Sequence, residues 1–198
     1  MTMTNRRETM TIYLLDRSES VTAAWKRSFY DCEDVAVICS DFACFMDHNN
    51  VDCVVSPANS YGLMDGGYDL AITRYFGPEL QKQVQKYILQ NYCGEQPVGT
   101  AFLINIPGSD KKLIHTPTMR VPSPIRDPIV VYQCMRVTLM LAKEHQIGRI
   151  VIPAFGRLTG RLPAGLVADL MRAGYDQVYH PPKALDWNYA KSHMPENL

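Results

Sequence analysis

The sequence predicts an α/β fold in three layers, α/β/α, built on a mixed, largely parallel central sheet. Three observations carry this expectation: brief apolar runs of strand length, helical periodicity between them, and glycine-bearing loops directly after two of the runs. The runs lie at residues 11–15, 35–39, 51–56, 100–106, 113–116 and 150–154. They are too short for helices and rich in β-branched residues. Their apolarity is continuous rather than alternating, as expected of strands covered on both faces.

Helical periodicity fills the intervals. Residues 18–29 place Val21, Trp25 and Phe29 at four-residue spacing. Asp127-Pro128 predicts a helix start, with Asp as a side-chain cap and Pro at the first position, where its missing N–H costs nothing. Tyr132, Met135, Leu139 and Ala142 then form one stripe. A further helix is expected to begin at Leu70. A last one spans about residues 163–173, with Leu166, Val167, Leu170 and Met171 on its apolar face and Gly174 placed to end it. This alternation predicts a single domain over residues 1–180. Residues 181–198, with Pro181-Pro182, Asn188 and Pro195, are expected to form an irregular C-terminal extension.

Composition narrows the function. The chain has 198 residues, 46% of them hydrophobic, enough for one core without staples. Its 20 basic and 20 acidic residues cancel, and no basic run exceeds Lys111-Lys112. Non-specific nucleic-acid binding needs an excess of Lys and Arg, so no nucleic-acid partner is expected. The six cysteines form no C-x-x-C pair, and most sit in apolar runs as small hydrophobes. With the five histidines scattered, neither a metal nor another cofactor is expected. Met1 to Thr9 is polar and unlike a signal peptide. No apolar run nears the ~20 residues that span a bilayer. A cytoplasmic protein without membrane contact is expected.

In open α/β sheets, ligands bind where strands end. The loop after residues 51–56 reads Ser56-Pro57-Ala58-Asn59-Ser60-Tyr61-Gly62-Leu63-Met64-Asp65-Gly66-Gly67-Tyr68-Asp69. Paired glycines let backbone N–H groups approach a phosphate, and a helix N-terminus adds a favourable dipole. A tight turn with Asp69 as a helix cap is the plainer alternative. The loop after Pro153 reads Ala154-Phe155-Gly156-Arg157-Leu158-Thr159-Gly160-Arg161-Leu162-Pro163 and again leads to a helix start. Two such loops suggest a diphosphate held from both sides.

The stretch from Ser56 to Ile72 resembles the macrodomain signature, in which a strand ends N-A-A-N and G-G-x-D-x-A-I follows. Asn59 matches the last Asn, Gly66-Gly67 the glycines, and Asp69-Leu70-Ala71-Ile72 the remainder, at the family's interval. Ser40-Asp41-Phe42 stands where G-D-I is usual, and Pro97-Val98-Gly99-Thr100-Ala101 resembles P-x-G-x-A. Leu113-Ile114-His115-Thr116 resembles V-I-H-T, and Ile152-Pro153-Ala154-Phe155-Gly156 opens the second loop. Together these cover roughly residues 34–174. There are departures: Ser56-Pro57 replaces Asn-Ala, the second loop is rewritten, and the expected final strand near the adenine is not found. The pattern is that of a divergent branch, similar to macro-like proteins of phage and bacterial origin.

The resemblance implies an ADP-ribose-type ligand and a role for each matching residue. Asp41 would accept a hydrogen bond from the adenine amino group, beside Phe42; a strand-end cap is the alternative. Asn59 would hold the distal ribose; an Asx turn is the alternative. Gly66, Gly67 and Tyr68 would line one side of the diphosphate, and Gly156, Arg157, Leu158, Thr159 and Gly160 the other. Phe155 would pack on the distal ribose or belong to the core. Asp69 would position or deprotonate an attacking water. A neighbouring phosphate would raise its pKa and the helix dipole lower it. Arg120, Arg126, Arg157 and Arg161 are expected to approach the same crevice and to favour a more anionic ligand, such as a 1″-phosphate. His115 is expected to be satisfied by backbone. Three functions stay open: a hydrolase of an ADP-ribose adduct, ester or 1″-phosphate, with ADP-ribosylated protein as one such partner; a non-catalytic reader; or a phage-associated structural protein.

Overall fold

The computed structural model describes residues 10–192. The polar stretch 1–9 and the end of the extension, 193–198, lie outside the described residues. Six strands form one sheet: β1 (Thr11–Asp16), β2 (Val35–Cys39), β3 (Cys53–Ser56), β4 (Phe102–Asn105), β5 (Lys112–His115) and β6 (Arg149–Pro153). Their order is β2-β1-β6-β3-β5-β4, parallel throughout except for β4, which runs antiparallel to β5. The expected mixed, largely parallel sheet is therefore present.

Strand alternation divides the side chains between two cores. In β1, Ile12 and Leu14 face one layer and Leu15 the other; in β3, Cys53 and Val55 face the first and Val54 the second. The first layer holds α1 (Glu19–Ser28), α5 (Ile129–Glu144) and α6 (Ala164–Tyr179), packed around the fully buried Trp25. The second holds α2 (Phe42–His48), α3 (Gly67–Phe76) and α4 (Glu79–Tyr92), joined through Phe42, Ile72, Leu80, Val84 and Ile88.

Three expectations need correction, and one departure read from the sequence recurs in the structure. The helix expected to start at Leu70 begins at Gly67, so both the second glycine and Asp69 lie in its first turn. Gly174 does not end α6, which continues to Tyr179. A Cβ at Gly174 would lie 2.8 Å from Met135 Cβ and 2.9 Å from the Tyr132 carbonyl oxygen. The glycine is there to let α6 cross close to α5. The extension is not wholly irregular: α7 (Trp187–Ser192) forms there, started by Asp186, whose carboxylate accepts from Tyr189 N at 2.7 Å. Finally, no strand follows α6 among the described residues. β6 is flanked by β1 and β3.

Among the described residues, no helix is long and apolar enough to cross a membrane, and no group of three or more His, Cys, Asp or Glu could hold a metal ion.

The packing at Gly174 gives a stability prediction opposed to helix propensity. Replacing a mid-helix Gly by Ala normally stabilises by up to about 1 kcal/mol. Here the methyl meets backbone, and overpacking of this kind costs about 1–3 kcal/mol. Gly174→Ala should lower the urea midpoint at an unchanged slope. A raised midpoint would mean that α5 and α6 are farther apart than described.

Candidate functional site

All the parallel strands end at one edge of the sheet, and a two-lobed crevice opens there. The inner lobe, about 170 Å³, lies between the loops after β3 and β6, with Asp16 at the end of β1 and Thr118 and Met119 on its far side. The outer lobe, about 970 Å³, is bounded by Ser40, Asp41 and Phe42 and by one face of α3. Asp16, Gly67, Tyr68 and Leu158 line both.

The first loop reaches the crevice through the N-terminus of α3. Gly66 precedes the helix, and Gly67 takes φ +56°, the left-handed region that glycine enters without penalty. A Cβ at either would meet nothing within 4 Å, so both face open space. The first-turn N–H groups of a helix have no intrahelical partner, which leaves them available to an anion. Tyr68 packs edge-on against Phe42, with centroids 5.4 Å apart, and its hydroxyl is buried without a hydrogen-bond partner among the described residues. Removal from water raises its pKa well above the usual tyrosine range, and the charges of Asp69 and Asp16 add to this.

The glycines of the second loop do something different. Gly156 has φ +71°, and a Cβ there would come within 2.7 Å of Ile125 Cδ1; at Gly160 a Cβ would collide with the Gly156 carbonyl and with Ile125. Ile125 N donates to the Gly160 carbonyl at 3.0 Å, and Leu162 N to the Gly156 carbonyl at 3.2 Å. These glycines close the loop on itself and on Ile125. The start of α6 at Ala164 does not line the crevice, so what this loop presents comes from Gly156 to Gly160 themselves. Arg157 lines the inner lobe with its Nε buried and without a hydrogen-bond partner among the described residues.

Asp69 sits in the first turn of α3 and lines the inner lobe. Its Oδ1 accepts from the hydroxyl of Ser56, the last residue of β3, at 2.6 Å. Oδ2 has no hydrogen bond to any described residue. Burial pushes the carboxyl up to about 7; the Ser56 hydrogen bond opposes that rise and the nearby Asp65 adds to it. Desolvation therefore outweighs the stabilisation of the anion that a helix start and a serine hydroxyl provide.

For several other candidates the structure shows the alternative role. The Asn59 side chain is engaged in its own turn: Nδ2 donates to the Leu63 carbonyl at 2.7 Å, and Oδ1 accepts from Tyr61 N at 3.1 Å and Leu63 N at 3.3 Å. Asp41 caps α2, accepting from Cys44 N at 2.9 Å, while also lining the outer lobe. Phe155 is fully buried in the first core and absent from the crevice lining, so its place is in packing rather than on a ribose. Gly156, Leu158, Thr159 and Gly160 line the inner lobe, with Leu158 exposed at the rim.

The four arginines do not converge as expected. Only Arg157 reaches the crevice. Arg120 is held by Glu95 at 2.6 Å and lies over the Tyr61 ring; with Arg126 it borders a neighbouring groove that meets the inner lobe at Thr118 and Met119, and Arg161 lines neither lobe. Arg17 and Arg74 line the outer lobe instead. Arg74 could have been found from its position seven residues after Gly67, on the same helix face. Ser56 and Asp16 could have been found as the first polar side chains ending apolar strands. His115 is buried and pairs through Nδ1 with Gln96 Oε1 at 2.7 Å, a side-chain partner rather than backbone. Burial lowers it to about 3, so it is neutral.

The fold agrees with comparisons to known proteins. An uncharacterized protein of Aquifex aeolicus (strain VF5) is 33% identical over 124 residues, 62% of this chain and 71% of that protein. The macrodomain of Mycobacterium tuberculosis DarG superposes with a TM-score of 0.57 at 21% identity, covering 66% of this chain and 85% of that one. A mutant of the Oceanobacillus iheyensis macrodomain with ADPR superposes with a TM-score of 0.51 at 20% identity, covering 67% and 86%. The sequence model of the Macro domain matches residues 55–171, from within β3 into α6, and the chain belongs to that family.

Proposed function

We propose that this protein binds ADP-ribose, with the diphosphate between the two loops, the distal ribose in the inner lobe and the adenosine in the outer lobe. One observation carries this reading. Two polar atoms, Tyr68 Oη and Arg157 Nε, are buried on opposing sides of the crevice without a partner among the described residues. A buried polar group left unpaired costs about 1–3 kcal/mol, so its presence in a cleft points to a partner that arrives from outside. The open glycines and free N–H groups at the start of α3 provide anion recognition on the same wall. The ADPR recorded with the Oceanobacillus iheyensis macrodomain supplies the ligand class.

A second reading, hydrolysis of an ADP-ribose adduct such as a modified protein, an ester or a 1″-phosphate, is favoured by Asp69. Its carboxyl titrates near neutrality and has one oxygen uncommitted. For a substrate joined through the anomeric carbon of the distal ribose, a water oxygen bonds to that carbon as the bond to the leaving group breaks. The water's proton passes to Asp69 and from there to the departing group. A base with a pKa near the working pH suits that transfer. Without turnover, the same site would serve a reader of ADP-ribosylated protein.

Binding is tested by thermal unfolding with ADP-ribose. A ligand at 100 times its Kd stabilises the native state by about 2.7 kcal/mol. Gly66→Glu should abolish that shift: φ is −143°, extended backbone that any residue adopts, and the new carboxylate projects into open space beside the diphosphate. An unchanged shift in a folded variant would place the diphosphate elsewhere.

Catalysis is tested with Asp69→Asn, which keeps an acceptor for Ser56 but cannot take a proton. Turnover of an ADP-ribosylated peptide should fall about 10²–10⁴-fold, with affinity little changed. In the parent, kcat should rise as pH increases through about 7, because only the deprotonated carboxyl accepts a proton. Absence of turnover in a parent that binds ADP-ribose would leave the reader function.

A further inference from the structure

We propose that Ser56 is the positioning residue for Asp69, its buried hydroxyl holding one carboxylate oxygen so that the other is presented to the crevice. The inference rests on the reading of Asp69 as the group that handles a proton. It begins in β3. Side chains alternate along a strand, and Val54 faces the layer of α2, α3 and α4, so Ser56 faces it too. The strand fixes Ser56 firmly: it is in register with His115 of β5, and its carbonyl accepts from Thr116 N at 3.0 Å. With no exposed surface, its hydroxyl has no water to turn to, and it donates to Asp69 Oδ1 at 2.6 Å across the β3–α3 interface.

The consequence is geometric. A carboxylate on the first turn of a helix can rotate about χ2, a broad torsion with little preference of its own. The Ser56 hydrogen bond removes that freedom and leaves Oδ2 uncommitted. It also sets the charge state, because a donor to the carboxylate favours the anion against the burial that raises its pKa. The other titratable groups lining the inner lobe are Asp16 at the end of β1, Asp65 before α3, Tyr68 on α3 and Arg157 after β6. Among these, Asp65 pushes the Asp69 carboxyl up. Ser56 is the hydrogen-bond donor that acts the other way.

The test requires no ligand, so its failure is distinct from a failure to bind ADP-ribose. With ¹³C-labelled aspartate, the Asp69 carboxyl resonance is assigned by its loss in Asp69→Asn and followed against pH. The parent midpoint should lie near 7. In Ser56→Ala it should rise by about 1–2 pH units, the worth of a hydrogen bond to a charged group. Ser56→Cys, a weaker donor of similar size, should shift the same way and guards against a poorly folded Ala variant. Ser56→Thr, which keeps the hydroxyl, should stay near the parent. If the Ala and Cys variants titrate with the parent, Ser56 does not set the state of Asp69 and the proposal is overturned. For a hydrolytic parent, the pH–kcat profile of Ser56→Ala should move upward by the same amount, while an unmoved profile would contradict the proposal.

Discussion

The crevice exists because the parallel strands of this sheet end at one edge, with β1 lying between β2 and β6. Parallel strands need crossover helices, and those helices return each chain segment so that the next strand again delivers its C-terminal end to the same side. β1 contributes Asp16, β2 leads to Asp41, β3 to Ser56 and Asn59, and β6 to Gly156 and Arg157. Four loops distant in sequence thus meet without any long-range contact being specially arranged. β4, the one antiparallel strand, lies at the far edge, away from this meeting point.

Within that frame the two glycine loops divide the work. Gly66 and Gly67 face open space, and their missing side chains leave room for something to approach the start of α3. Gly156 and Gly160 face protein, and their missing side chains let the second loop fold over Ile125. One loop is open by design of its backbone, and the other is a wall held by packing. Arg157 lines the lobe from this wall with a nitrogen that has no partner among the described residues, and Tyr68 answers it from α3. Asp69 lines the same lobe, its carboxyl pushed up by burial and by Asp65 against the Ser56 hydrogen bond.

Much of this was legible in the chain itself. All six strands corresponded to short apolar runs, and the Ser56–Ile72 signature marked the loop that opens into the crevice. The rest depended on tertiary facts. The role of Gly174 could not be read from a pattern that also ends helices, because only the approach of α5 distinguishes the two. α4 was missed although Leu80, Val84 and Ile88 repeat at four-residue spacing; α2, at seven residues, gives too short a period. The arginines misled because sequence proximity to a loop does not say which way a side chain turns: Glu95, distant in sequence, holds Arg120. Phe155 follows a strand that ends at the crevice, but its ring turns inward, and nothing local reveals that choice.

The central claim is that two loops from different parts of the chain hold one anionic ligand between them. Backbone amide NMR of the ¹⁵N-labelled protein titrated with ADP-ribose tests it most directly. The account predicts that amides from Gly66 to Asp69 and from Gly156 to Gly160 shift together with one Kd, with Asp41 and Asp16 following at that same Kd. Shifts confined to one loop, or gathered at the groove of Arg120 and Arg126, would contradict it.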